Sequence, residues 1–166
     1  GAGTGEQFVK LKNSSGSLSD SGVNVYAGYR AGAALASGAA ENTFFGTDAG
    51  RSNDTGDYNS YFGHRAGENA TTSSNVAIGA EALRANNSGV GSNVAVGVLA
   101  LTANTSGSYN TALGYYSLKS NTTASNNVAV GYNALDANTT GSENTACGTK
   151  ALSGCTSGGN NVALGH

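Results

Sequence analysis

Apolar and polar residues alternate in short bursts along this chain, and the bursts return at a nearly constant interval. Each burst starts on an asparagine and ends four residues later on a glycine. The asparagines are Asn24, Asn42, Asn59, Asn75, Asn93, Asn110, Asn127, Asn144 and Asn161, and the glycines are Gly28, Gly46, Gly63, Gly79, Gly97, Gly114, Gly131, Gly148 and Gly165. The asparagines are spaced 18, 17, 16, 18, 17, 17, 17 and 17 residues apart. Self-similarity at a fixed short period marks a stacked array. Seventeen residues is too short for a helical hairpin but suits one coil of a β-solenoid. The predicted fold is therefore all-β, a β-roll or β-helix of about eight 17-residue coils over 24–166. Residues 1–23 read as a divergent first coil or a junction to an upstream shaft, with a strand-like alternation over Gln7-Phe8-Val9-Lys10-Leu11-Lys12.

With the asparagine as position zero, positions one and three carry pairs such as Val76/Ile78, Val94/Val96, Thr111/Leu113 and Val128/Val130. This period-two pattern predicts a short strand with one buried face, here expected to be the face of positions one and three. The glycine at position four ends the strand. Position seven is Ala31, Ala49, Ala66, Ala82, Ala100, Ser117, Ala134 and Ala151. Position eight is Gly32, Gly50 and Gly67, then Leu83, Leu101, Leu118, Leu135 and Leu152. Together they predict a second short strand whose leucines point inward. The rest of each coil, as in Asn104-Thr105-Ser106-Gly107, is turn chemistry. Stacked asparagines would bond along the axis as an architectural ladder.

Position two should then face away from the core, yet it is Tyr26, Phe44, Tyr61, Ala77, Ala95, Ala112, Ala129, Ala146 and Ala163. An outward column without polar residues reads as a surface pressed against sister chains. A coil with only Val76, Ile78 and Leu83 as clear core residues also buries little apolar surface of its own. Both points predict a homotrimeric rod with position two as its contact.

Composition narrows the functional classes. The 166 residues include 26 Gly, no Pro and no Met, 11% are charged, and the net charge is −2. No basic run offers a nucleic-acid footprint, and no apolar stretch approaches the ~18 residues of a membrane span. A chain without methionine reads as a fragment or processed product, with further repeats expected beyond His166. His64 and His166 lie about six coils apart, which leaves no metal cluster or catalytic triad around them. Asp48, Asp54 and Asp57 on adjacent turns could be imagined as a polysaccharide-cleaving pair, but scattered surface carboxylates are the ordinary reading. No calcium-binding nonapeptide appears, and no catalytic residue, metal or cofactor is expected. Cys147 and Cys155, eight apart, allow either a disulfide or a core slot filled by Cys147. Glycosylation sequons at Asn53, Asn69, Asn86, Asn104, Asn121 and Asn138 fall out of the turn chemistry and read as incidental. Side chains at positions five, six and nine vary most, among them Arg30, His64, Arg65, Arg84, Lys119 and Lys150. Tyr115, Tyr116 and Tyr132 fall there too, either as rings on which a sugar would stack or as an exposed patch without a ligand.

The stretches Asn42-Thr43-Phe44-Phe45-Gly46 with Ala49-Gly50, and Asn59-Ser60-Tyr61-Phe62-Gly63 with Ala66-Gly67, resemble repeats of phage-type tail-fibre proteins. Asn127-Val128-Ala129-Val130-Gly131 with Ala134-Leu135 resembles both those fibres and the heads of trimeric autotransporter adhesins. The likeness covers roughly 24–166. Adhesin-head repeats run nearer fourteen residues, which favours the tail fibre. The resemblance implies a trimeric fibre segment, outside the cell, on a virion, a contractile injection machine or a cell surface. Such a segment would space or present a surface that meets a glycan or protein receptor. The alternative is a bacterial adhesin head; an ice-binding solenoid or a depolymerase spike ranks lower, because threonines are irregular and acidic residues scattered.

Overall fold

The structure, a computed structural model, describes residues 10–12, 24–35 and 39–166. It is all-β among these residues, with ten strands joined in sequence order into one sheet. Strand β1 (Lys10–Lys12) runs antiparallel to β2 (Asn24–Ala27). It therefore does not continue the parallel stack, and the remainder of 1–23 lies outside the described residues. The other strands are β3 (Thr43–Phe45), β4 (Ser60–Phe62), β5 (Val76–Ile78), β6 (Val94–Val96), β7 (Thr111–Leu113), β8 (Val128–Val130), β9 (Thr145–Cys147) and β10 (Val162–Leu164). From β2 onward every pair is parallel, and like positions face like positions, as in Val94↔Thr111 and Ala95↔Ala112. The chain is a β-solenoid of about eight turns, one strand to a turn. At ~4.8 Å per rung its nine parallel strands span roughly 38 Å.

The second strand expected at positions seven and eight does not form. That side of the coil is a run of turns in which residues at positions six and eight are left-handed, as at Tyr116 (φ 62) and Leu118 (φ 48). The backbone there alternates between closing turns within a coil and bonding to the next. Ser117 N–H donates to Gly114 O at 3.3 Å, while Leu118 N–H donates to Ala134 O at 3.0 Å. Left-handed backbone at every other residue is incompatible with an extended strand.

The interior is the reverse of the one expected. Position two is inside: Phe44, Tyr61, Ala77, Ala95, Ala112, Ala129 and Ala146 are fully buried within the single chain. Tyr26 and Ala163, in the first and last coils, are half-buried against the same core. The seven buried residues therefore cannot be the contact between chains, and Tyr26 and Ala163 pack toward the same interior. Positions one and three look outward and are partly or fully exposed in every coil. The reason is the thinness of the coil. The strand lies directly against the turn segment, so an alanine and one leucine fill the space between them.

Size matching shows how tight that space is. Where position two is alanine, position eight is leucine; where it is Phe44 or Tyr61, position eight is Gly50 or Gly67. A Cβ on Gly50 would fall 2.6 Å from the Phe44 ring, and one on Gly67 would run into the ring of Tyr61. Phe44 and Tyr61 stack on each other inside the rod, 4.9 Å apart and 8° from parallel. At the corner, Gly114 (φ 140) sits so close to the next rung that a Cβ would strike the carbonyl of Gly131. All nine position-four glycines hold a positive φ, and the eight from Gly28 to Gly148 are required by close approach to the next rung as well.

The size matching predicts a strong compensation. Tyr61→Ala should destabilise by ~3–5 kcal/mol through an unfilled cavity, and Gly67→Leu should do so by overpacking. The double variant rebuilds the alanine–leucine pair of the later coils, and its unfolding midpoint should lie nearer the parent's than either single variant's does. Denaturant unfolding of the four proteins measures this; additive losses would contradict it.

Candidate functional site

The repeated asparagines form a buried column. Asn42, Asn59, Asn75, Asn93, Asn110, Asn127 and Asn144 are at most 1% exposed, and Asn24 and Asn161 extend the column at its ends. Each carboxamide works in two directions, as at Asn110. Its Oδ1 accepts from the backbone N–H of Asn127 at 3.0 Å and from Asn127 Nδ2 at 3.2 Å. Its Nδ2 donates to Asn93 Oδ1 at 3.3 Å and, across the coil, to Ala124 O at 2.8 Å. The column thus ties rung to rung along the axis and also closes each coil on itself.

A second buried ladder escaped the sequence reading. Asn53, Asn86, Asn104, Asn121 and Asn138, eleven residues after their respective ladder asparagines, have no exposed surface. Asn121 Nδ2 donates to Asn104 Oδ1 at 2.9 Å and to Ala124 O at 3.0 Å, and Asn138 repeats the pattern one rung on. Its constant offset from position zero was the available signal, obscured because the same residues read as turn formers and sequons. Ala70 interrupts this ladder in the sixteen-residue coil. There the Thr72 hydroxyl accepts from Asn86 Nδ2 at 2.6 Å and from Asn75 Nδ2 at 3.0 Å. These buried Nδ2 groups are closed to glycosyl transfer in the folded rod. Asn69 is half-buried, its Oδ1 taking a bond from Ser52 Oγ at 3.2 Å.

Cys155 occupies the second ladder's place in the last complete coil, its Sγ donating to Gly158 O at 3.4 Å. Cys147 lies on the outward face of β9. Both are free thiols, so the structure shows neither a bridge nor a core role for Cys147.

Charged side chains gather along positions six and nine of the first four coils. Arg30 grips Asp48 with two bonds, Nε to Oδ1 at 2.7 Å and a second guanidinium nitrogen to Oδ2 at 2.9 Å. Arg51 meets Glu68 at 3.2 Å and Arg84 meets Glu81 at 2.9 Å, with Arg65 between the two glutamates at 3.8 and 3.9 Å. The hydrogen bonds from Arg30 hold the nearly buried Asp48 carboxyl below the usual carboxylate range, and Asp48 in turn raises Arg30. The three aspartates do not converge. Asp57 Oδ1 accepts from the Ala40 N–H at 2.7 Å, and Asp54 is exposed. His64 and His166 are exposed on the surface. Among the described residues no three His, Cys, Asp or Glu side chains gather as a metal-holding group.

Tyr115, Tyr116 and Tyr132 do come together. Tyr115 stacks on Tyr116 at 3.9 Å and on Tyr132 at 5.7 Å, and Lys119 Nζ sits 4.4 Å over the Tyr116 ring. The hydrogen bond with Tyr116 pushes the Tyr115 hydroxyl up. Two rings against Tyr115 and an ammonium against Tyr116 already engage the faces a sugar would need. The arrangement is an aromatic ladder, with Tyr132 as its exposed end.

The largest unpartnered feature is the outward face of the sheet. Position three runs Ala27, Phe45, Phe62, Ile78, Val96, Leu113, Val130, Cys147, Leu164, with Phe45 and Phe62 stacked 5.5 Å apart. Phe62, Ile78, Val94, Leu113 and Val128 are each 37–46% exposed. No charged residue occurs at position one or three in any of the nine coils. No protein-family model, curated protein or solved structure matches the chain.

Two measurements check this description. Asn110→Ala removes four side-chain hydrogen bonds and leaves the Asn127 backbone N–H buried without a partner, which should cost about 2–4 kcal/mol. Replacing the exposed Thr123 by alanine should change stability by under ~0.5 kcal/mol in the same assay. For Asp48 the folded carboxyl is the stronger acid, so its contribution is present above the ordinary carboxylate pKa of about 4 and fades as pH falls below it. Thermal melts between pH 6 and pH 2 should therefore fall more steeply for the parent than for Asp48→Asn.

Proposed function

We propose that this chain is a non-catalytic segment of a homotrimeric fibre of the tail-fibre kind, carried outside the cell on a virion or an injection machine. One observation carries the reading: an uncharged, largely apolar face runs unbroken along a rod whose buried asparagines are engaged in holding the rungs together. Monomeric soluble proteins rarely leave apolar surface exposed beyond a few hundred Å². A strip ~38 Å long and, at ~3.3 Å per residue, roughly 10 Å wide over the strand alone covers about 380 Å², a size at which an exposed apolar patch is often a functional one. Among the described residues the inside of each coil is filled by alanine with leucine or by an aromatic ring with glycine, and the carboxylates are paired or scattered. The work done is mechanical: regular rungs set a fixed length and hold variable side chains at set heights. The belt from Arg30 to Arg84 and the exposed end of the tyrosine ladder at Tyr132 would be what a glycan or protein receptor meets.

Light scattering on the purified chain tests the reading. Three chains per particle, persisting on dilution to micromolar concentration, is the expected result. A folded monomer with the exposed strand face unaltered would refute it.

A further inference from the structure

The rungs are not joined equally along the rod, and the inequality holds whether the particle contains one chain or three. We propose that the rod carries a built-in joint between the Asn42 coil and the Asn59 coil. The two coils of 24–58 open there as one unit while the rod from Asn59 onward stays folded.

Both asparagine ladders break at this one interface. In the first ladder the carboxamide nitrogens reach back to the preceding carboxamide oxygen, as from Asn42 to Asn24 at 2.9 Å and from Asn75 to Asn59 at 3.1 Å. Asn59 is the exception among the described residues. Its Nδ2 turns across the coil to Thr72 O at 2.9 Å, and its backbone N–H alone meets Asn42 Oδ1. In the second ladder Ala70 stands where the asparagine would be, so Asn53 closes on its own coil, bonding twice with Gly56 at 2.9 Å. The turn side is interrupted too. In later coils two successive turn N–H groups donate to one carbonyl of the next rung, as Thr105 and Ser106 do to Thr122 O at 2.8 and 3.1 Å. Among the described residues their counterparts, Asp54 and Thr55, make no such backbone bond to the Asn59 coil. The cause is length: the Asn59 coil has sixteen residues where most have seventeen, so its turn falls out of step with its neighbour's.

A different set of contacts crosses this interface. Backbone bonds continue along the strand and past the corner, such as Thr43 N–H to Asn59 O at 2.8 Å and Gly50 N–H to Ala66 O at 3.0 Å. To these are added two ring stacks, Phe44 on Tyr61 and Phe45 on Phe62, and the ion pair of Arg51 with Glu68 at 3.2 Å. Among the described residues that is the one ion pair spanning the interface. On either side the first ladder is whole. Asn42 donates twice to Asn24 Oδ1 at 2.9 Å, and Arg30 clamps Asp48, so the two amino-terminal coils are fastened to each other. The stability of a stacked array is close to a sum over neighbouring interfaces, and partial opening follows the interface with least to lose. Here that interface lies two coils in from the amino-terminal end of the parallel stack.

Native-state hydrogen exchange on the full chain, followed amide by amide in rising low concentrations of denaturant, tests the joint. The N–H groups of Gly46 and Asp48, bonded to Ala27 O and Tyr29 O at 2.8 Å, lie within the amino-terminal pair of coils. Those of Gly67 and Leu83, bonded to Ala82 O and Ala100 O at 2.9 Å, lie beyond it. The first two should open together and be protected at least ~10-fold less than the second two, with the change falling between the Asn42 and Asn59 coils. Arg51→Gln should lower the protection of Gly46 and Asp48 a further ~2–5-fold, as loss of an exposed ion pair would, and leave Gly67 and Leu83 unchanged. Lys119→Gln, the same position nine in the Asn110 coil, should leave Gly46 and Asp48 unchanged. A smooth rise in protection from coil to coil, or one protection for all four amides, overturns the joint. So does an Arg51→Gln effect that is spread evenly along the rod or missing at Gly46 and Asp48.

Discussion

A coil with one three-residue strand and a long run of turns has few regular bonds of its own, so everything depends on how its buried polar groups are satisfied. The asparagine carboxamide answers that need because it has an acceptor that takes two bonds and an amide nitrogen with two donors. At position zero the acceptor serves the next rung, while the nitrogen serves the previous rung and the far side of its own coil. Aspartate could not donate and leucine could do neither. Each rung is therefore bonded both to its neighbours and across its own width, and the second ladder at Asn104, Asn121 and Asn138 repeats the device where the turns close.

Given those two ladders, little room is left. The apolar interior is a single layer shared between position two and position eight, and it accepts either alanine with leucine or an aromatic ring with glycine. Leucines at position eight hold a left-handed backbone, Leu83 at φ 51 and Leu135 at φ 51, although such a conformation costs an L-residue about 1–2 kcal/mol. Their burial at 0% exposure offsets that cost, since enclosing a leucine side chain contributes roughly 1.5–3 kcal/mol. A rod this thin satisfies its ladder asparagines internally but leaves its strand side chains outside.

Much of the architecture was legible from the sequence. The asparagine-to-glycine interval marked every rung, and strands such as Thr43–Phe45 and Val128–Val130 fall where the alternation puts them. The facing did not follow, because alternation at Val94-Ala95-Val96 says that two faces exist without saying which is covered. Bulk suggested valine inside; the width of the coil selects alanine. The second strand was misread because Ala and Leu at positions seven and eight look extended, whereas the left-handed residues beside them carry no common side-chain signature: Glu81, Leu99, Tyr116 and Lys150 all occupy position six. The tyrosine cluster was located correctly, but stacking uses faces that sequence alone leaves free. The alanine column, once moved inside, returned the question of association to the opposite face, where Ile78, Leu113 and Val128 now stand.

Side-chain amide exchange followed by NMR in heavy water bears most directly on the ladders that hold this rod together. The Nδ2 protons of interior asparagines such as Asn93, Asn110 and Asn121 should persist long after those of the exposed Asn87 and Asn126 have vanished. If the interior carboxamides exchange as fast as Asn87, the rungs are not joined through asparagine and the account fails.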